Sequence, residues 1–536
     1  MTWQASIRPY LNQAYLLGLM MMAVGLTLSP FLMGMSQFWL VGVWLIDGRF
    51  KEKWQRFVGN KAAVLLVLFY LMHVVGLLYT SDFQYAMRDL RVKLPILVLP
   101  LVISSMEPLD RKRFDLLMQV YVLSVFVATL FSFSAYVRHD YEDVREISRF
   151  ISHIRFCLHI IFCIAVLEYY GIVRNPRKKD GASSAFGQRN ALDSCLRYFL
   201  LFWFAYQIYI FESLSGYVIL AAVILFSAVY VFLRWKKGKG WRIGIGVAAL
   251  GLMVLAFCLV AHEMKPLLKV EPVDFSTLDQ QTAQGHFYWH DTIYHPIEDG
   301  QYVGLFYCRE ELQEAWPQRS DFPLEGMTLN GEHLEATLVR YLTSKGLRKD
   351  AEGVAALTDE DIRNIEQGVA NYNNWKHPGL HARLSSTLFE YGLYRKYNNP
   401  NGGSLSQRIE YTRASFHIIG QHPWFGVGTG DVPQAFSQAY DEIHSPLKAE
   451  FRFRAHNQYL AIAVAFGLVG LAFFLFVLFY PWFSSRKNHT YLYMVFLSIM
   501  LLSMLPEDTL ETQAGVSMFA FFEALLLFGR PETPMA

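Results

Sequence analysis

Long runs of apolar residues alternate with short polar connections along most of this chain. Runs such as 62–79, 243–261 and 460–480 are about 18 or more residues long and carry almost no charge, which is the length that a bilayer core requires. A soluble helix of that length would show a polar face, and these runs do not. The pattern therefore predicts an all-α integral membrane protein.

The apolar runs predict about 12 transmembrane helices. Pro30 separates the first two in a tight hairpin, because proline disrupts a helix interior. The fourth run is short enough to be tilted or re-entrant. The predicted spans lie at 14–29, 31–46, 62–79, 94–105, 114–137, 156–173, 196–211, 216–235, 243–261, 458–480, 491–505 and 512–528.

Composition and charge add an orientation to this picture. The chain is 53% hydrophobic, above the roughly 45–50% of soluble domains, and its net charge of +2 says little about partners. Lys and Arg are nevertheless concentrated in alternate connections, and cytoplasmic connections carry such an excess. Both termini are therefore predicted to be cytoplasmic. The cationic connections lie at 49–61, 111–113, 174–197, 234–242 and 486–487.

One extracytoplasmic connection, 263–457, is far longer than ordinary loops, so we predict that it is functional. It divides the chain into residues 1–262 with nine spans, the large loop itself, and residues 458–536 with three spans. The loop is predicted to be mainly helical. Its first part, 263–403, predicts small helices and loops, including a helix at 359–369 capped by Thr358. A turn-rich hinge at 398–403 precedes a second predicted helix at 404–419.

Several familiar motifs are absent from the sequence, including the GxxxxGK[ST] phosphate loop, CxxC and HExxH. His286 and His290 have the i, i+4 spacing of a helical metal site, but no third ligand is evident, which favours an incidental aromatic cluster. Within the predicted spans, His73, His159 and Glu168 are ionisable and are functional candidates by default. Each lies near a span end or among polar neighbours, which favours a structural role.

The densest group of chemically capable residues lies where the large loop re-enters the membrane. Arg408 and Arg413 lie five residues apart on a predicted helix and so point in different directions. A guanidinium forms bidentate bonds to phosphate oxygens. Alternating glycines follow and permit a sharp backbone path and close approach to a ligand. These glycines are Gly426, Gly428 and Gly430, after His422 and Pro423.

His456 and Asn457 directly precede the tenth predicted span. A neutral imidazole at the water–membrane boundary can accept a proton from an acceptor hydroxyl near pH 7. Taken alone, one interfacial histidine is more often a hydrogen-bonded anchor. Asn457 could cap the helix or orient a substrate.

Taken together, the order and spacing of residues 408–470 resemble the O-antigen ligase and O-antigen polymerase superfamily of bacterial membrane proteins. The resemblance extends to the topology of about 12 spans with one late external loop. His153–Arg155, before the sixth span, also resembles members with this architecture. The matching residues are Arg408, His422, Pro423, Gly426, Gly428, Gly430, His456, Asn457, Leu460 and Gly467–Gly470.

The resemblance implies a GT-C-like glycosyltransferase of the O-antigen ligase type in the bacterial inner membrane. It implies a glycan donor on undecaprenyl diphosphate at the periplasmic face, and an acceptor hydroxyl on lipid A–core, another glycan or a protein. The family's essential histidine maps to His456, and its phosphate-contacting arginine maps to Arg408. Inversion is expected, without metal or other cofactor. Membrane lipids, but not nucleic acid, are expected partners.

The sequence departs from the family pattern at one position. Many members carry Ser-Arg at the external start of a mid-chain span, and here Leu214 stands where that arginine is expected. Arg155, Arg88 or Arg91, all predicted to be external, could substitute for it. Otherwise the substrates differ or the chain is inactive. Arg413, Gly428, Gly430 and Asn457 complete the predicted substrate-binding residues.

Within this class, a polysaccharide polymerase and a protein O-oligosaccharyltransferase compete with a ligase. The ligase is favoured because the external loop is late and large and ends in His-Asn. A transporter of lipids or glycans is the alternative from another class. It predicts paired broken helices and polar residues along several spans, and the sequence shows too few of either. A non-catalytic receptor would leave the residues from Arg408 to His456 unexplained.

Overall fold

The computed structural model describes residues 3–138, 144–173, 191–234, 251, 258, 260–270, 272–485 and 488–530. The chain forms two compact units. The first unit comprises Met1–Gly251, Tyr411–Ser445 and Arg452–Ala536, and the second comprises Leu252–Glu410 and Pro446–Phe451.

The regular structure of the first unit, among its described residues, is helical. Its N-terminal helices are α1 (Trp3–Leu28), α2 (Pro30–Asp47), α3 (Phe50–Gly59), α4 (Lys61–Val75), α5 (Phe83–Ser105), α6 (Arg111–Arg138), α7 (His153–Glu168), α8 (Ala191–Ile210) and α9 (Leu214–Arg234). A 3₁₀ turn, Gly76–Tyr79, extends α4, and a π-helical turn, Tyr169–Val173, extends α7.

The second unit combines short helices with two small antiparallel ribbons. Its ribbons pair β1 (Trp289–Asp291) with β4 (Gly304–Tyr307), and β2 (Ile297–Glu298) with β3 (Gln301–Tyr302). Its helices are α10 (Arg309–Ala315), α11 (Leu334–Ser344), α12 (Ala351–Ala355), α13 (Asp359–Gln367), α14 (Tyr372–Lys376) and α15 (Leu380–Tyr397). Residues 260–268 are also helical.

The remaining helices follow in chain order. Helix α16 (Ser404–Gln421) contributes residues to both units, and α17 to α20 belong to the first. A 3₁₀ turn, Thr509–Glu511, precedes α20, and a π-helical turn, Leu525–Gly529, follows it. These last helices are α17 (Val432–Glu442), α18 (Gln458–Ser484), α19 (Tyr491–Ser503) and α20 (Gln513–Ala524).

The helices agree with the coarse prediction of a mainly helical, multi-pass membrane protein. Six described helices are long and apolar enough to cross a membrane: Ile7–Leu28, Pro30–Asp47, Lys61–Tyr79, Arg111–Arg138, His153–Gly171 and Gln458–Ser484. Three shorter apolar helices lie at Leu214–Tyr230, Tyr491–Ser503 and Gln513–Gly529. The predicted span at 243–261 lies mostly outside the described residues, so the number of about 12 spans stays a prediction.

The first hairpin shows how the sequence makes a tight turn between two apolar helices. Ser29 caps α2, because its hydroxyl accepts a hydrogen bond from Leu32 N at 3.2 Å. Pro30 is the first residue of α2, where its missing N–H costs nothing. Gly25 lets the two helices approach, since a Cβ there would lie 2.4 Å from Met33 N.

The second unit packs around Trp316, which is fully buried with Leu312, Leu334 and Leu338. Helix α13 confirms the predicted Thr358 cap. The Thr358 side chain accepts from Asp361 N, and the Asp361 carboxylate accepts from Thr358 N, which together form a capping box. The four strands were not predicted, since the sequence favoured helices and loops here.

Candidate functional site

The glycine-rich segment after α16 packs against a break in the membrane helix α18. Gly467 interrupts α18 with φ +67°. Across the break, Leu468 N donates to Pro423 O at 2.8 Å, and Gly428 N donates to Ala465 O at 2.9 Å. A Cβ on Gly467 would lie 2.2 Å from Trp424 C. Glycine is therefore required here because two backbones meet directly.

The other side of the same segment contacts the turn after α4. Thr429 Oγ1 donates to His73 O at 2.7 Å, and Gly430 N donates to Thr80 Oγ1 at 2.8 Å. A Cβ on Gly430 would lie 2.2 Å from Asp82 O, and one on Gly428 would lie 3.1 Å from Gly76 O. The predicted close approach is therefore made to this protein's own backbone. Ligand binding by the buried Gly428 and Gly430 stays a prediction.

Asp431 closes the glycine-rich segment with a set of charge-assisted hydrogen bonds. Its carboxylate accepts from Ser81 N, Ser81 Oγ and Asp82 N, each at 2.9 Å. Burial alone would raise the pKa of Asp431, but these bonds hold its pKa below the usual value. The segment is thus fixed to α4 and α5 as well as to α18.

Asn457 is the N-cap of α18, which is one of its two predicted roles. Its Oδ1 accepts from Leu460 N at 3.0 Å, and its Nδ2 donates to Leu505 O at 2.8 Å. Both ends of the carboxamide are therefore engaged with backbone groups. A role in orienting substrate stays a prediction.

His456 is held in an unusual backbone conformation immediately before this cap. Its φ is +44°, in the left-handed region, which costs a non-glycine residue about 1–2 kcal/mol. Its ring stacks on Tyr411, with centroids 5.3 Å apart, and meets Phe453 edge-on at 6.2 Å. Packing on both rings explains how the strained conformation persists.

The imidazole of His456 lies next to the carboxylate of Glu507. Its Nδ1 lies 3.7 Å from Glu507 Oε2 and is buried without a hydrogen-bond partner, while the side chain as a whole is 33% exposed. At Nδ1, therefore, the structure does not show the hydrogen bond expected of an interfacial anchor. A small shift toward Glu507 would complete a hydrogen bond and leave the other ring nitrogen to act.

His456, Glu507 and Asp508 place three potential metal-binding atoms within 4.8 Å of one another. The surrounding charge opposes a cation there, because Arg454 Nη2 lies 3.5 Å from Asp508 Oδ2. Burial raises the pKa of Asp508, against the effects of Arg454 and His456. A carboxylate–histidine pair describes this geometry better than a metal site.

A buried ionic network lies beside this pair. Glu511 accepts from Lys93 Nζ at 2.7 Å and from Arg454 Nη1 at 3.2 Å. Lys93 also pairs with Asp89 at 2.5 Å, and Arg454 donates to Tyr85 OH at 3.0 Å. Burial would raise the pKa of Glu511, but the two cations lower it. The network joins α5 to the segment before α18, through Arg454, and to the segment after α19, through Glu511.

A cavity lies where three helix N-termini meet. Ser152 precedes α7, Pro30 begins α2 and Thr512 caps α20, and all three residues line the cavity together with Arg155. Arg155 Nη1 donates to Ser152 Oγ at 2.9 Å, whereas its Nε is buried without a hydrogen-bond partner. Helix N-termini and a guanidinium both favour an anion.

The other predicted arginines lie on two helices. Arg88 and Arg91 are exposed on α5, Arg413 is exposed on α16, and Arg408 is half-buried on α16. Arg408 belongs to the second unit and His456 to the first. Leu214, which stands where the family has arginine, begins α9. Their roles as phosphate contacts stay predictions.

The sequence did not reveal the charged residues that lie beside His456. The missed residues are Lys93, Arg454, Glu507, Asp508 and Glu511. One signal was available, because Glu507, Asp508 and Glu511 interrupt an otherwise apolar stretch near the C-terminus. Ionisable residues beside membrane helices are functional candidates by default.

The fold and this site define a multi-pass membrane protein in which a glycine-rich segment and a histidine–carboxylate pair meet a broken helix. Residues 379–475, which contain Arg408, the glycine-rich segment, His456 and the break, match the family model described as O-Antigen ligase. This match supports the resemblance to the O-antigen ligase superfamily that the sequence predicted. The family indicates glycan transfer at a membrane. No curated protein was found to match the chain.

Proposed function

We propose that this protein transfers a glycan from undecaprenyl diphosphate to an acceptor hydroxyl at the periplasmic face of the bacterial inner membrane. Lipid A–core is the favoured acceptor. The observation that carries the proposal is the placement of His456, within the O-antigen ligase segment, with Nδ1 unpartnered and 3.7 Å from Glu507. A histidine oriented by a carboxylate can act as a general base that removes the proton of an attacking hydroxyl.

The transfer is a single displacement with inversion. The acceptor oxygen attacks the anomeric carbon of the glycan, and the bond from that carbon to the phosphate oxygen breaks. The diphosphate leaves with the electron pair, and the acceptor proton passes to His456. Glu507 holds the tautomer in which Nδ1 carries hydrogen and the other nitrogen accepts the proton. Such base catalysis contributes about 10²–10⁴-fold.

Arginines offset the charge that develops on the departing diphosphate. Arg408 is assigned the first contact by its family position. Arg155 is assigned the second, because its buried Nε lacks a partner and three helix N-termini line the same cavity. Glu507 lies beside His456, and Thr512, five residues later, lines this cavity. Five residues span at most about 18 Å, so the cavity lies within that distance of Glu507. Each oxyanion contact is worth about 3–4 kcal/mol.

Complementation of a host deletion strain tests this function. His456→Ala should abolish mature surface glycan and accumulate lipid-linked glycan, at an unchanged membrane level of the protein. His489→Ala is the matched control, since His489 lies in a connection predicted to be cytoplasmic. An unchanged glycan profile for His456→Ala at normal protein level would refute the assignment of His456.

The proposal that Arg155 takes the role of the family arginine absent at Leu214 is testable in the same strain. If Arg155 replaces the family arginine that is absent at Leu214, Arg155→Ala should lose activity by about 10²–10³-fold, and Leu214→Arg should restore part of it. Arg408→Ala should be as harmful as Arg155→Ala. Full activity in Arg155→Ala, or no recovery in the double variant, would contradict the substitution of one arginine for the other.

A further inference from the structure

The second unit contains a mixed group of metal-binding side chains. His286, Cys308 and Glu311 place one ligand atom each within 4.8 Å of the others. Cys308 and Glu311 are buried at 3% and 1% exposure, while the His286 side chain is 38% exposed. The three residues therefore combine a thiol, an imidazole and a carboxylate with access from one side.

The local fold brings these residues together from three segments. Cys308 follows β4 and is held by a hydrogen bond from its N to Lys349 O at 2.8 Å. Glu311 lies in the first turn of α10. His286 precedes β1, and its carbonyl accepts from Thr282 N at 2.8 Å. The pairing of β1 with β4 brings the His286 segment to the Cys308 segment.

The Glu311 carboxylate is buried and accepts hydrogen bonds at both oxygens. One carboxylate oxygen accepts from Ala351 N at 2.9 Å, and the other faces His286 Nδ1 at 3.0 Å and the Thr282 hydroxyl. Among the described residues, His286 is the basic side chain that pairs with this carboxylate. A buried carboxylate is costly without a compensating charge, and a metal ion supplies one.

His290, the other histidine that the sequence singled out, is occupied elsewhere. Its Nε2 pairs with Asp279 O at 3.0 Å, and its Nδ1 accepts from Phe306 N at 3.2 Å. Residues 289–291 form a strand, so the helical i, i+4 interpretation of His286 and His290 was wrong. The two side chains grouped with His286, namely Cys308 and Glu311, lie more than 20 positions further along the sequence.

We propose that His286, Cys308 and Glu311 bind a Zn²⁺ ion, with water as the fourth ligand on the exposed side of His286. Thiolate, imidazole and carboxylate are ligands that Zn²⁺ accepts together, whereas Mg²⁺ and Ca²⁺ prefer oxygen alone. Tetrahedral Zn²⁺ needs ligand atoms about 3.3–3.8 Å apart, so side-chain adjustments of about 1 Å complete the site. Binding displaces the thiol proton of Cys308 and the proton between His286 and Glu311.

Metal titration of the purified full-length protein in detergent tests the proposal. After removal of bound metal with a chelator, the wild type should take up one Zn²⁺ per chain. With Co²⁺ in place of Zn²⁺, a thiolate-to-metal charge-transfer absorption should appear. Cys308→Ser should remove that absorption, and His286→Asn should weaken Zn²⁺ binding by more than the 10–100-fold that changes around ligands cost.

His290→Gln is the matched control, because it removes a histidine from the same strand segment and should leave Zn²⁺ uptake unchanged. Circular dichroism of each variant verifies that the protein is folded. Absence of Zn²⁺ uptake by the wild type would overturn the proposal and leave a His286–Glu311 ion pair. Unchanged Co²⁺ absorption in folded Cys308→Ser would overturn it as well. Neither readout depends on the proposed transfer activity.

Discussion

Gly467 is a position at which one added methyl group should strongly destabilise the protein. Gly467→Ala places an L side chain at φ +67°, which costs about 1–2 kcal/mol. The added Cβ would lie 2.2 Å from Trp424 C and 2.3 Å from Trp424 O, which are backbone atoms. Overpacking of this kind costs a further 1–3 kcal/mol or so. We therefore expect a loss of about 2–5 kcal/mol in the free energy of unfolding.

At another position of the family-matched segment, a Gly→Ala change should raise the stability of the protein. Gly392 lies exposed within α15, and a Cβ there meets nothing within 4 Å. Gly392→Ala should stabilise the helix by up to about 1 kcal/mol, since alanine has the higher helix propensity. The pair of variants therefore separates a general effect of alanine from the effect of the break in α18.

Thermal unfolding of the purified protein, followed by tryptophan fluorescence in one detergent, provides the measurement. The midpoint of Gly467→Ala should fall well below that of the wild type, and the midpoint of Gly392→Ala should equal or exceed it. A Gly467→Ala protein as stable as the wild type would refute the direct backbone contact between Gly467 and Trp424.

Other residues allow independent tests. Thr358→Ala should lower the stability of the protein by about 1 kcal/mol through loss of the capping box, measured by chemical denaturation. The lowered pKa of Asp431 means that its stabilising effect is present above the unfolded-state pKa, about 3.9, and is lost as the pH falls through the folded-state pKa. The stability difference between wild type and Asp431→Asn should therefore shrink on acidification, as melting curves across pH 3–7 would reveal. Asn457→Asp should retain the α18 cap, and Asn457→Ala should lose about 1 kcal/mol of stability. Loss of transfer activity in Asn457→Asp at wild-type stability would indicate that Asn457 also contacts substrate.

Local features were predictable from the sequence because their causes are local. The Thr358 cap and helix α16 depend on residues within one or two turns, and the apolar runs directly express the requirement of a bilayer core. The match of residues 379–475 supports the family resemblance that the spacing of Arg408, the glycines and His456 suggested. The strands β1 to β4 are two to four residues long, too short to show an alternating pattern.

Long-range features were not predictable in the same way. Glu507 approaches His456 across 51 positions, because a helical hairpin returns the chain to the same place. The glycines were predicted to permit close approach to a ligand, whereas Gly426 approaches the backbone of residues 464–466 and Gly428 approaches that of Gly76. No periodicity in a single sequence indicates which distant segment will pack at such a point.

His456 is proposed to be the base for glycan transfer. The direct measurement is transfer by the purified, reconstituted protein from a defined undecaprenyl-diphosphate glycan to lipid A–core, comparing wild type, His456→Gln and His489→Gln. We expect the wild type and His489→Gln to form product at the same rate, and His456→Gln to be slower by about 10²–10⁴-fold with an unchanged melting midpoint. Transfer by folded His456→Gln at the wild-type rate would show that His456 is not the base.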